Sequence, residues 1–280
     1  MKKTIKIVAL LMAAVLCFGL LSACGSGTNK ASSSNVETKA PEADDLTYVK
    51  EKGTLVVGIT DFAPMDYAGE NGEWIGFDAD MAKAFAESLG VKVEFVEINW
   101  DNKVLELDGK TIDCVWNGMT LSDEVKSAME CSKAYCNNTQ VVIVPAADAD
   151  KYQSKDSLKD LTFAVEAGSA GQAEVEKLGC KFTPVTSQAD TLTEVAAGTS
   201  QAAVIDALMA GAMVGEGTGY ADLTYTISLN EEEGEQYGVG FRKGSPLAAE
   251  LDKFFAAAYA DGTMMNLAET YGIQAAIIAQ

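Results

Sequence analysis

The 280-residue chain has no histidine and only one arginine, Arg242. A Ser-His-Asp triad and a His-ligated zinc site are therefore excluded. Basic residues are outnumbered: 21 Lys and Arg stand against 41 Asp and Glu, and the formal net charge is -20. They are also mixed with acids along most of the chain. Phosphate neutralisation needs clustered Lys or Arg, so this surface argues against nucleic acid. The one long apolar run, from Ile7 to Leu21, is too short for a comfortable membrane span. It follows Lys2, Lys3 and Lys6, the charge placement of an export signal. The six cysteines are too scattered for a metal site, and no cofactor is implied. Cys114 lies in an apolar stretch and reads as a small core hydrophobe. Cys131 and Cys136, five apart, allow a local disulfide, and Cys180 has no obvious partner.

What the chain does have is a layout that occurs twice. Gly109-Lys110 is a turn, Ile112–Trp116 is a short apolar run, and Asn117-Gly118-Met119-Thr120 follows. A strand that apolar is usually buried between helices. Polar residues just beyond its carboxyl end sit where α/β sheets bind ligands. The second copy is Gly198 to Asp206. Asn117 stands eight residues after Gly109, and Asp206 stands eight after Gly198. Any α/β protein repeats helix, turn and strand. The sharper reading is two α/β lobes, each offering one polar strand end to a shared cleft.

The rest of the chain keeps that rhythm. Residues 24–45 are rich in Ser, Asn, Thr and charge, and read as a flexible tether. Thr54–Thr60 is a strand that delivers Asp61 and Phe62 to a loop. Asp78 is a candidate N-cap for a helix running to Gly90, with Met81, Phe85 and Leu89 on one face. Val91–Ile98, Gln140–Val144, Leu161–Val165, Lys181–Val185, Leu223–Leu229 and Tyr237–Arg242 read as strands. Gln172–Leu178, Leu247–Ala260 and Met264–Tyr271 read as helices, and Asn230–Gln236 as an acidic surface turn. Alternation of this kind indicates an α/β sheet.

Leu21-Ser22-Ala23-Cys24-Gly25 resembles the lipobox of bacterial lipoproteins, which implies removal of residues 1–23 and lipidation of Cys24. Further motifs occur in family order: Gly76-Phe77-Asp78-Ala79-Asp80, Trp100-Asp101-Asn102-Lys103, Gly118-Met119-Thr120, Ala167-Gly168-Ser169, and Gly238 to Gly244. Together they resemble the solute-binding proteins of ABC importers for polar amino acids. The resemblance implies the type II periplasmic-binding fold, with two lobes, each a mainly parallel sheet flanked by helices, joined by two hinge strands near Asn137–Thr139 and Tyr237. Lobe one is expected over residues 46–137 and 238–280, and lobe two over residues 138–237.

The resemblance also implies roles. Asp206 matches the anion that takes a ligand amine. Gly118, Thr120, Gly168 and Ser169 match donors to a ligand carboxylate, with Asn117 beside them. Phe62 and Trp100 match positions flanking the ligand side chain, Glu166 lies near the same place, and Asp61, beside Phe62 on its loop, is a further candidate contact. One departure matters. Five residues after Thr120 the family usually carries a carboxylate-gripping Arg; here the residue is Val125, followed by Lys126. Three readings stay open: Lys126 substitutes, backbone donors suffice, or the ligand is not an ordinary α-amino acid. The implied partners are a small-molecule ligand, a polar amino acid by the resemblance, an ABC permease, and the membrane through the lipid anchor, with a monomer expected. The alternative is a dehydratase-type enzyme acting on a prephenate- or arogenate-like substrate, with Glu166 as general acid.

Overall fold

The computed structural model describes residues 44–230 and 234–280. The export signal, Cys24 and most of the tether lie outside the described residues. Two β-sheets organise the rest. The first has the order Lys92–Glu97, Thr54–Ile59, Cys114–Thr120, Glu235–Phe241, Glu130–Cys131, with Cys136–Asn138 also paired to Glu235–Phe241. The second has the order Lys181–Val185, Thr162–Glu166, Ala202–Asp206, Gln140–Pro145, Leu223–Ser228.

Both sheets are mixed rather than mainly parallel. In each, three strands connected through helices run parallel. The strands where the chain passes between sheets pair antiparallel. Cys136–Asn138 leads directly into Gln140–Pro145, and Leu223–Ser228 leads back to Glu235–Phe241. The two crossing segments touch each other: Asn138 pairs with Glu235, and Cys136 with Tyr237.

Packing explains the strand assignments. Cys114–Thr120 is buried along almost its whole length, and Trp116 is fully enclosed, its ring centroid 5.5 Å from Phe255 and 6.2 Å from Phe85. Burying one such side chain contributes roughly 1.5–3 kcal/mol. The helix Phe77–Leu89 supplies Met81 and Phe85 to that core, as the four-residue spacing predicts. It starts one residue before Asp78, after Gly76. Asp78 is therefore a fully buried acid in the first turn, not a cap.

Three further expectations change. The strand through Cys114 continues to Thr120, so Asn117 and Gly118 are on the strand and not in a loop past it. Glu235 is a buried residue opening a strand, although the sequence read as a surface turn there. Cys131 and Cys136 are free thiols. Each lies opposite a different residue of the same strand, Gly240 and Tyr237 respectively, which holds them apart.

Candidate functional site

A cleft of 610 Å³ is lined from both sheets, by Trp100, Asn117, Gly118 and Thr120 from one and by Glu166, Gly168, Ser169 and Asp206 from the other. This volume lies within the usual range for small-molecule sites. Thr162–Glu166 and Ala202–Asp206 are parallel neighbours, so Glu166 and Asp206 end their strands at the same sheet edge. The helix Ala170–Leu178 begins against that edge. A Cβ at Gly171 would lie 2.9 Å from the carbonyl oxygen of Val204, so only glycine allows this approach.

Asp206 precedes the helix Ala207–Met213 at its N-cap position, but its side chain caps nothing. Its carboxylate turns inward. Oδ1 accepts from Tyr237 Oη at 2.7 Å, from Gln140 Nε2 at 2.8 Å and from Asn138 Nδ2. Oδ2 accepts from Gln188 Nε2. Burial, then the charge of Glu235, pushes the Asp206 carboxyl up to about 8. Glu235 shares two of those donors. It accepts from Gln140 Nε2 at 2.9 Å and Asn138 Nδ2 at 2.7 Å, and also from the Thr120 hydroxyl at 2.8 Å and Asn230 Nδ2 at 2.6 Å. Burial, then the Asp206 charge, raises Glu166 to about 8. Its Oε1 is buried and makes no hydrogen bond among the described residues.

The structure distributes the remaining candidates unevenly. Trp100 opens a short 3-10 turn, is nearly buried, and has the Lys103 ammonium 5.0 Å from its ring centroid. That ammonium donates to the carbonyls of Trp100 and Gly168, both at 3.1 Å, and so bridges the cleft walls. Ser169 caps its helix by accepting from the Gln172 backbone N–H at 3.1 Å. The Gly168 N–H donates to Gln172 Oε1 at 3.0 Å.

Four candidates are placed otherwise than the sequence suggested. The Gly118 N–H is not open to a ligand, because it donates to Asp78 Oδ2 at 2.7 Å. The Asn117 amide is fully used: Nδ2 donates to the Thr60 carbonyl and to Asp66 Oδ2, and Oδ1 accepts from the Thr60 backbone and hydroxyl. It holds the loop after the first strand. Phe62 lies beneath Gly118, where a Cβ at φ 54 would come within 2.4 Å of its ring. Asp61 faces a second cleft with Glu97 and Asp190. Val125 lines the main cleft, whereas Lys126 does not. Among the described residues no group of His, Cys, Asp or Glu is arranged to hold a metal ion.

Sequence reasoning missed Glu235, Asn138, Gln140 and Gln188. One signal was available for Glu235. It stands two residues before Tyr237 on one strand, so both side chains share a face, and both reach the Asp206 group.

The sequence profile of the bacterial extracellular solute-binding proteins, family 3, matches residues 55–274. The L-cystine-binding protein TcyJ of Escherichia coli (strain K12) is 28% identical over 231 residues, covering 81% of this chain and 85% of that protein. The arginine-bound form of truncated ArgBP from T. maritima superposes with a TM-score of 0.68 at 32% identity, covering 74% of this chain and 97% of that one. The ancestral amino acid-binding protein AncCDT-1, a precursor of cyclohexadienyl dehydratase, gives 0.72 at 31% identity, covering 81% and 98%.

Proposed function

This chain belongs to the bacterial extracellular solute-binding proteins, family 3, and on that premise we propose that it is the amino-acid-binding subunit of an ABC importer. It takes a polar amino acid or a related small amine outside the cytoplasm and delivers it to a membrane permease. The observation that carries this reading is Asp206: a buried carboxylate at a strand end, on a cleft wall, that caps no helix. A charged hydrogen bond from a ligand ammonium to such a group is worth about 1.5–3 kcal/mol.

The two-sheet arrangement supports a division into lobe one, residues 46–137 and 238–280, and lobe two, residues 138–237. Asp206 and Ser169 belong to one and Thr120 to the other. A ligand that touches both stabilises the closed state only by its extra contacts there. Asp206, Glu166, Trp100, Thr120 and Ser169 are the contact residues of this account. Phe62, Gly118 and Asn117 act by shaping the wall. The sequence at Cys24 supports removal of residues 1–23 and a lipid anchor that holds the protein on the extracytoplasmic face of the cell membrane.

A thermal-shift panel of amino acids and simple amines tests the reading, because ligand linked to the folded state raises its melting temperature. A shift with one chemical class is expected; a flat panel contradicts it. One observation favours the enzyme alternative: burial raises Glu166 to about 8, the direction a general acid requires. Incubation with prephenate or arogenate and ultraviolet detection of an aromatic product decides that point, and no product is expected.

A further inference from the structure

The cleft carries far more negative than positive side chains. Among the described residues, seven carboxylates and two lysines line it. Three of those carboxylates, Glu166, Asp206 and Glu235, are buried to 5% exposure or less. Gln140 donates one amide nitrogen to both Asp206 and Glu235, so these two acids lie within one hydrogen-bonded step of each other. Their donors are amides and hydroxyls. Glu166 Oε1 faces the same cleft, buried, with no hydrogen bond among the described residues.

Most of the groups that would hold a ligand carboxylate are engaged elsewhere; the Ser169 hydroxyl, which accepts from the Gln172 N–H, keeps its proton to donate. The Gly118 N–H donates to Asp78, the Thr120 hydroxyl to Glu235, and the Gly168 N–H to Gln172. The Lys103 ammonium donates to two carbonyls. Arg242, the one arginine of the chain, forms an ion pair with Asp45 and Asp113 and donates to the carbonyls of Leu107 and Ile112. Where a carboxylate-gripping Arg would stand, the wall presents Val125. A carboxylate in this cleft would meet like charges and few open donors, whereas an ammonium or guanidinium would meet acceptors on several sides.

We propose that the cleft selects small organic cations, with Asp206, Glu235 and Glu166 as the recognising groups, and that a carboxylate on the ligand is dispensable for binding. This rests on the reading of the cleft as the ligand site. It narrows the ligand from amino acids in general to diamines and guanidinium-bearing amines, with arginine and lysine bound through their cationic ends.

Calorimetric titration of the full chain with matched pairs tests it. Arginine against agmatine, and lysine against cadaverine, differ by the carboxylate alone; glutamine is the neutral control. The amines are expected to bind within about threefold of their parent amino acids, and glutamine at least about tenfold more weakly than arginine. If removing the carboxylate costs about a hundredfold or more, or if glutamine binds tightest, the inference is overturned while the amino-acid reading stands. If neither amino acids nor amines bind, the amino-acid reading fails and takes the inference with it. Glu235→Gln retains the side-chain shape and an acceptor. It is expected to weaken cadaverine about tenfold with an unchanged circular dichroism spectrum. An unchanged affinity in that folded variant removes Glu235 from the recognising set and overturns the proposal as stated.

Discussion

Two groups of buried carboxylates in this protein are held in opposite ways. Asp113, fully buried, is paired with the Lys52 ammonium at 2.6 Å and the Arg242 guanidinium at 3.2 Å, and it accepts from the Val56 backbone at 2.8 Å. Arg242 also pairs with Asp45 at 2.9 Å. Asp206 and Glu235, buried almost as deeply, are held by neutral amides and hydroxyls. Taking a charge out of water is costly unless an opposite charge and hydrogen bonds offset it. In the Asp113 group the fold supplies both. Around Asp206 and Glu235 it supplies only the hydrogen bonds, and the opposite charge is left for a ligand to bring. The first arrangement stabilises the protein, and the second gives up stability for binding.

Substitution at the two acids should therefore separate folding from function. Asp113→Ala leaves Arg242 and Lys52 without their shared partner and is expected to cost about 3–5 kcal/mol of stability. Its ligand affinity should be unchanged at a temperature where it stays folded, because Asp113 is not on the cleft wall. Urea unfolding and calorimetric titration read the two quantities. Asp206→Asn is expected to do the reverse. Binding should weaken by about 2–5 kcal/mol, while the ligand-free melting temperature at pH 8 stays level or rises. A large fall in stability at Asp206, matching that at Asp113, would break the comparison.

A smaller effect is expected from supplying the missing cation. Val125→Arg places a guanidinium on the cleft wall, able to grip a carboxylate with two hydrogen bonds. Arginine should tighten relative to agmatine by about tenfold in that variant, close to the lower end for a charged hydrogen bond. Equal tightening of both ligands would point to a general change in the cleft instead.

A further test is the pH dependence of the ligand-free protein. Asp206 and Glu166 sit at about 8 when folded, against ordinary values of 3.8 and 4.5. Between those limits these two groups bind more protons in the folded protein than in the unfolded chain, so the stability they contribute is full below their ordinary values and is lost as pH rises to 8. A cationic ligand favours the ionised carboxylates, so the ligand-induced shift in melting temperature should grow over the same window. A shift that shrinks with rising pH would contradict the assignment of these acids as its partners.

The sequence shows some of this protein far better than the rest. The apolar stretch ending at Trp116 and the Met81–Phe85 spacing reveal a strand and a helix because their periodicity is local. Asp206 is visible because the same turn and strand occur twice. Glu235 is hidden by its neighbours: Glu231, Glu232 and Glu233 make the segment read as solvated surface, yet its pairing with Asn138 draws it inside. Asn138, Gln140 and Gln188 are hidden for another reason. Their role depends on which strand ends and helix starts meet at one sheet edge, and this comes from long-range topology. Gly118 and Asn117 are legible as special residues, but their hydrogen bonds turn inward to Asp78, Thr60 and Asp66 and away from the cleft.

The central claim is that a ligand cation meets the carboxylate of Asp206, and a crystal structure grown with arginine or agmatine tests it most directly. The account predicts a ligand nitrogen at about 2.7–3.2 Å from an Asp206 oxygen, with Glu166 or Glu235 as a further neighbour. A ligand whose nitrogen atoms all lie away from these acids, or one seated in the second cleft beside Asp61 and Asp190, would contradict it.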